Sequence, residues 1–322
     1  MSVLLSWMLG AAMLLAPGQT GQAPGDVFRV DVTLVRVLTT VRNSRGELVG
    51  ALNKDDFTIF DNGVRQQIEH FERQTEQPLS MALLVDVSLS TAIELRYETE
   101  SVSRFLRAVY SEGNSRDAVA LYSFSGDVTL LADFTRRRQN IDDRMKLLKP
   151  ESGTSMYDAI YLACKNLEQR DGRRVLILIT DGGDTTSAKN YHEALEAAQR
   201  ADAVLYAILV MPITNEAGRN VGGENALKTL AGDTAGRVFS PPEMGPAVDS
   251  AFSDILKELR TQYFLGYYPR GLQPSPGSYH RLEVKVGNPD LRVNPRSGYY
   301  EEVERRPASG SGGWRPMSEK KK

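Results

Sequence analysis

Three oxygen-bearing side chains stand at alternate positions in Asp86-Val87-Ser88-Leu89-Ser90, directly after an apolar run. A carboxylate and two hydroxyls so spaced offer hard ligands to a divalent cation, and equally they could cap a following helix. Two further segments carry the same chemistry. In Ser152-Gly153-Thr154-Ser155 a glycine turn places a hydroxyl at the opening of a helical stretch, and in Thr180-Asp181-Gly182-Gly183 a second apolar run ends in a hydroxyl and a carboxylate. Each has a local explanation, Thr154 or Ser155 as a helix cap and Asp181-Gly182 as a turn. Taken together, Asp86, Ser88, Ser90, Thr154 and Asp181 include no nitrogen or sulfur ligand. That inventory suits Mg²⁺, Mn²⁺ or Ca²⁺ and argues against zinc.

The elements that must position these groups are legible as strands. Met81 to Val85 and Arg173 to Thr180 are apolar without alternation, the pattern of central parallel strands covered by helices on both faces. In open α/β sheets the crevice past the carboxyl ends of the strands is where ligands bind, so oxygen ligands at two strand ends and one helix-opening loop fall in the right place.

Asp86-x-Ser88-x-Ser90, then Thr154, then Asp181 resemble, in chain order, the metal-ion-dependent adhesion site of von Willebrand factor type A domains. The resemblance covers roughly residues 78–262. It implies a doubly wound, mostly parallel six-stranded sheet in which Ser88, Ser90 and Thr154 bind the metal directly while Asp86 and Asp181 act mainly through water. It further implies one open coordination position, completed by an Asp or Glu of a protein partner, and a closing helix that can shift when the site is filled. The order of strands, type A domain and further strands is similar to that of secreted proteins reported mainly from acidobacteria.

Around that unit the pattern is β. Residues 26–77 read as three or four antiparallel strands: an alternating one from Phe28 to Val41, one over Asp55 to Phe60, and one from Val64 to Phe71 after the Asn62-Gly63 hairpin signal. Gln262 to Tyr268, Tyr279 to Val286 and Leu291 to Tyr299 read as strands again, and strand propensity accounts for their tyrosines. So few strands at either end rarely stand alone, so the segments 26–77 and 263–303 are expected to pair into one antiparallel β-sandwich with the α/β unit inserted.

Inside the α/β unit, Ile93 to Tyr110 is an amphipathic helix with Tyr97, Val102, Phe105 and Leu106 turned inward; Asp117 to Phe124 and Val128 to Phe134 are an antiparallel strand pair. Arg136-Arg137-Arg138 opens a helical stretch to Leu148 as a solvated face. Ser187 to Arg200 is a helix, Ala203 to Val210 a strand, Asn225 to Leu230 a short helix, Val238-Phe239 an edge strand and Ala247 to Arg260 the closing helix. Asp158 suits the first turn of its helix and Asp184 the end of a turn, rather than the ligand set.

The chain of 322 residues balances 39 basic against 41 acidic residues, which removes any global electrostatic case for nucleic acid. One cysteine, Cys164, sits on an apolar helical face and reads as core. Residues 1–23 are expected to be a secretory signal peptide, and 304–322, with Gly-Ser-Gly-Gly and a final Lys-Lys-Lys, a disordered tail. Export to the cell envelope or beyond follows, with no further segment long and apolar enough to span a bilayer.

Enzyme chemistry is not indicated. His70, His192 and His280 are dispersed over an expected strand, a helix and another strand, with no H-x-x-x-H spacing or acid placed to suggest zinc or a triad; there is no P-loop, and the position two beyond Asp86, where dehalogenase-like phosphatases keep an acid, is Ser88. The expected function is an exported adhesion or binding module, against two alternatives: an envelope scaffold whose metal is structural, and a metal-dependent hydrolase.

Overall fold

The computed structural model describes residues 33–73, 77–92, 95–210, 220–243, 245–273 and 275–301. The expected leader, the tail and the first residues of the first expected strand lie outside them.

Chain order begins with β1 (Val35–Arg42), then β2 (Phe57–Asp61), β3 (Val64–Gln66) and β4 (His70–Arg73). Asn62 and Gly63, at φ 47° and 81°, make the left-handed turn that closes the β2–β3 hairpin. The α/β unit follows as β5 (Leu79–Asp86), α1 (Leu95–Glu112), β6 (Ala118–Phe124), β7 (Val128–Thr135), α2 (Arg138–Met145), α3 (Met156–Leu167) and β8 (Arg173–Thr180). It continues with α4 (Tyr191–Arg200), β9 (Ala203–Leu209), α5 (Val221–Asp233), β10 (Arg237–Phe239) and α6 (Pro246–Thr261). β11 (Tyr263–Tyr267), β12 (Tyr279–Val286), β13 (Arg292–Pro295) and β14 (Gly298–Tyr300) complete the order.

The six-stranded sheet runs β10-β9-β8-β5-β6-β7, parallel except for β7. β5 is buried along its whole length, and its side chains serve two cores in turn. Met81, Leu83 and Val85 pack with Phe105 and Leu106 of α1 and Phe252 and Ile255 of α6. Ala82 and Leu84 pack with Ile160 of α3, Ala198 of α4 and Leu227 of α5. Coverage on both faces is the reason the run shows no alternation. Cys164 is fully buried in the second core.

The remaining strands form two four-stranded sheets, β13-β1-β11-β4 and β14-β12-β2-β3. Strands from before and after the α/β unit are interleaved: β1 pairs antiparallel with β11 and β13, and β2 with β12. Val37 and Ile59 from the first segment share a core with Tyr263, Tyr267 and Leu282 from the second. The tyrosines therefore act as core residues in the main, although Tyr268 and Tyr279 are exposed.

Several elements depart from the sequence expectation. The run Val64 to Phe71 is not one strand: it breaks after Gln66, and β4 joins the opposite sheet beside β11. Buried Gln66 occupies the break, exchanging hydrogen bonds with the backbone of Arg270 at 2.9 and 3.1 Å. Leu291 to Tyr299 likewise splits, because the Arg296 guanidinium turns to Asp202 at 2.9 Å and the Ser297 amide to Asp233. The helix expected from Ser187 starts at Tyr191, where Asn190 and Glu193 form a reciprocal capping box. The short helix expected at 225–230 spans Val221–Asp233, its first turn disguised by Gly222 and Gly223. Tyr97 is 49% exposed, turned away from the core it was expected to join.

His280 also differs from the expectation, since it does face an acid. Asp61, with no solvent exposure, accepts from His280 Nδ1 at 2.9 Å, Tyr267 Oη at 2.7 Å and Tyr299 Oη at 2.8 Å. The partners come from residues more than two hundred positions later, so no local pattern announces them, except Tyr299 and His280 lying near each other. Because a buried carboxylate with three donors leaves all three unsatisfied when removed, Asp61→Ala should destabilise the chain by about 3–5 kcal/mol in urea unfolding, more than Asp61→Asn. A loss under about 1 kcal/mol would show that the network is dispensable.

Candidate metal centre

The sheet order reverses between β5 and β8: the chain goes from β5 outward through β6 and β7, then crosses to β8 on the other side of β5. Neighbours at such a switch point leave a crevice beyond their carboxyl ends. β5 and β8 run in step, Val85 opposite Ile179, so both end there together. The Thr180 hydroxyl donates to Asp86 Oδ2 at 2.6 Å, and the Ser88 amide donates to Oδ1 at 2.8 Å. Thr91 ties the turn shut by donating from its hydroxyl to the carbonyls of Asp86 and Ser88 at 3.0 and 3.1 Å. Within that turn Ser88 Oγ and Ser90 Oγ lie 2.9 Å apart.

Capping does not account for these serines. The Leu95 amide of α1 donates to the Thr91 carbonyl, which puts Thr91, and not Ser88 or Ser90, at the capping position. Ser155 takes the N-cap position of α3 without capping it: its hydroxyl donates to the Gly126 carbonyl at 2.8 Å and lies 2.8 Å from Thr186 Oγ1. The turn reading of Asp181 does hold, for Asp181 Oδ1 accepts from the Gly183 amide at 2.9 Å and Gly182 has φ +87°.

Thr154 is brought to the crevice by ties on two sides. A parallel bridge joins Ser88 to Glu151, with the Glu151 amide donating to the Val87 carbonyl at 2.8 Å. On the other side the Thr154 amide donates to Thr185 Oγ1 at 3.0 Å, and the Thr185 amide donates to the Thr154 carbonyl at 2.8 Å. Gly153, at φ +83°, passes so near Gly126 that an added Cβ would lie 2.8 Å from its Cα. Only glycine fits both that conformation and that approach.

Asp86, Ser88 and Ser90 thus form one hydrogen-bonded cluster, with Asp181 one residue past the partner of Asp86 and Thr154 held between the two turns. Asp158 and Asp184 stay out of it. Asp158 accepts from the amides of Ala188 and Lys189 at 2.9 and 2.7 Å, and Asp184 from Ser187 Oγ and the Tyr157 amide at 2.6 and 3.2 Å. Sequence reasoning did not single out Thr180 as the partner of Asp86, nor Thr185 and Glu151 as the groups that hold the Thr154 loop. A hydroxyl one position before a strand-end aspartate was the available signal for Thr180.

Burial grades across the cluster. Asp86, Ser88 and Thr154 are buried, Asp181 is half-buried and Ser90 exposed, so the group opens on one side. Burial pushes the Asp86 carboxyl up to about 6 from its ordinary 3.8, opposed by hydrogen bonds from Ser88 and Thr180 and reinforced by the charge of Asp181. Among the described residues no Lys or Arg pairs with Asp86 or Asp181, and no group of three or more His, Cys, Asp or Glu is gathered elsewhere. Two carboxylates and three hydroxyls lacking a counter-charge are a donor set that fits a hard divalent cation.

A mostly parallel sheet covered by helices on both faces defines a doubly wound α/β fold. A family model for the von Willebrand factor type A domain matches residues 81–183, the part of the α/β unit that runs from β5 to just past β8. Solved structures similar to the chain include BatB from Bacteroides thetaiotaomicron, a conserved hypothetical protein, at 21% identity over 56% of this chain and 98% of that one, TM-score 0.45. The vWF domain of the type V pili tip protein Mfa5 from Porphyromonas gingivalis is 14% identical over 62% and 99%, TM-score 0.47. The PilB minor pilin from Streptococcus sanguinis is 11% identical over 59% and 63%, TM-score 0.46. No curated protein matches the chain.

The raised Asp86 carboxyl has a sign that solution work can check. Between about 4 and about 6 the folded, metal-free chain holds a proton on Asp86 that the unfolded chain has released. Stability of the metal-free protein should therefore rise by about 3 kcal/mol in all as pH falls from above that window to below it, and fall as pH rises. Asp86→Asn should flatten this part of the profile in urea unfolding followed from pH 4 to 7. An unchanged slope in the variant would move the titration to another group.

Proposed function

We propose that this chain is an exported protein-binding module in which Asp86, Ser88, Ser90, Thr154 and Asp181 hold a divalent cation, Mg²⁺ or alternatively Mn²⁺ or Ca²⁺. The observation that carries this reading is a fully buried carboxylate at the sheet's switch point, without a cationic partner among the described residues and joined to hydroxyls on a face that opens to solvent. Bound there, the cation supplies a positive centre able to accept a carboxylate from outside the chain. Ser88, Ser90 and Thr154 offer neutral oxygens, which leave that centre under-neutralised. Asp86 and Asp181 supply the charge that retains it, Asp86 oriented by Thr180 and the Ser88 amide. The partner is a protein that presents Asp or Glu.

A binding role is preferred to hydrolysis because Ser88 stands where a phosphatase of related topology keeps its proton donor. The burial of Asp86 favours a second reading, a scaffold in which the cation mainly relieves a buried charge. Export rests on the apolar leader expected at 1–23, and among the described residues no helix is long and apolar enough to cross a membrane. Whether the strands of 26–77 and 263–303 form a recognition surface of their own belongs to that second reading.

Calorimetric titration of Mg²⁺, Mn²⁺ and Ca²⁺ into the purified protein tests the site directly. Saturable binding is expected, with Asp86→Ala and Asp181→Ala each losing at least tenfold in affinity while keeping a cooperative unfolding transition. The apparent Mg²⁺ affinity should also decline as pH is lowered through about 6, where protons compete for Asp86. Normal affinity in either alanine variant would count against this ligand set. Replacing the contacted Asp or Glu of a partner by Asn or Gln should abolish binding if capture is the role, and should leave it intact if the ion is structural.

A further inference from the structure

The turns around the crevice are charged in one sense only. Residues 86–92, 125–127, 150–155 and 181–188 contain Asp86, Asp127, Glu151, Asp181 and Asp184 and not one Lys or Arg. Lys149 and Lys189 stand at their borders, and Lys189 is engaged by Glu193 at 2.8 Å. Glu151 is exposed, yet its backbone is fixed by the bridge to Ser88 and its carboxylate is anchored on one oxygen by Ser125 Oγ at 3.0 Å. Among the described residues it makes no ion pair, so a positioned negative charge stands beside Ser88 with its second oxygen available. On the same turn Leu89, between the two serines, is 64% exposed. Thr91 holds the backbone there, so this apolar side chain is presented from a rigid turn within the metal-site motif itself.

A lone carboxylate approaching this rim meets repulsion from Glu151 and Asp127 before it reaches the crevice. A cationic neighbour in the same partner segment reverses that term and adds a pair with Glu151, while an apolar neighbour covers Leu89. We propose that the crevice selects a partner loop in which the Asp or Glu is flanked on one side by Lys or Arg and on the other by a large apolar residue, and rejects runs of acidic residues. This rests on the cation-dependent capture proposed above, with Glu151 and Leu89 acting as selectivity groups outside the ligand set.

The test uses the full chain and four cyclised peptides carrying Gly-Lys-Asp-Leu-Gly, Gly-Glu-Asp-Leu-Gly, Gly-Lys-Asp-Ser-Gly or Gly-Lys-Asn-Leu-Gly, in Mg²⁺ and in chelator. The Lys-Asp-Leu peptide should bind best and only in Mg²⁺. Exchanging its Lys for Glu should weaken it by about fivefold or more, and exchanging its Leu for Ser by about tenfold. Glu151→Lys should turn the preference toward the Glu-flanked peptide, Leu89→Ser should erase the Leu-over-Ser preference, and Leu89→Ser should leave Mg²⁺ affinity by calorimetry unchanged. Equal binding of the three Asp peptides in Mg²⁺, with the Asn peptide inactive, overturns this inference and leaves the capture reading standing. Binding that survives chelation or the Asn exchange, or no retention of any Asp peptide, overturns both.

Discussion

A carboxylate without solvent exposure is the constraint on which the α/β unit is arranged. Asp86 ends the central strand, and its two oxygens are spoken for by the Thr180 hydroxyl and the Ser88 amide. The Ser88 contact is local to one turn, but the Thr180 contact forms only if β5 and β8 are adjacent, parallel and in register to their last residues. That register depends in turn on Met81, Leu83 and Val85 facing one helix layer and Ala82 and Leu84 the other, since a slip of one residue would exchange the two sets. Desolvating the carboxylate is unfavourable and nothing cationic in the described chain offsets it. The cores therefore hold in place a charge that the fold alone does not neutralise.

The sequence conveyed this part well because its information is local. Asp86, Ser88 and Ser90 lie within five positions, and the strands that carry Asp86 and Asp181 reveal themselves by unbroken apolar runs. Tandem turns such as Asn62-Gly63 are equally local, and the hairpin they close formed where expected. What stayed hidden depends on distance. Asp61 gives no sign of meeting Tyr267, His280 and Tyr299, and Gln66 gives none of bonding to Arg270, because those contacts exist only after the two chain ends have paired. Both strands expected to be continuous were broken by a polar side chain with a remote partner, Gln66 in one and Arg296 in the other. Strand propensity has no term for such a partner. The first turn of α5 was missed for a different reason: Gly222 and Gly223 lower helix propensity, yet Gly223 is packed so tightly on Gly182 that a Cβ would meet its carbonyl oxygen at 1.7 Å.

The connection between the α/β unit and the paired strands bears on whether the closing helix moves. A single residue, Gln262, separates α6 from β11, and β11 lies inside its sheet between β1 and β4. Arg173, buried at the start of β8, donates to the Leu259 carbonyl at the end of α6, lies 3.4 Å from Gln262 Oε1, and reaches the Gln77 carbonyl on the incoming connection at 3.4 Å. Both crossings are thus gripped by one guanidinium. Glu258, also buried, pairs with Arg42 of β1 and Arg237 of β10 and so binds α6 to a strand from each part. An axial displacement of α6 of the kind its resemblance implies would have to break the pairs of Glu258, uncap the helix end from Arg173, and shift β11 against two hydrogen-bonded neighbours. Buried ion pairs broken on one side cost several kcal/mol each. A cation held at the crevice would contribute to such a shift only its differential affinity for two helix positions, against that whole sum. The physical balance is toward a helix that stays fixed.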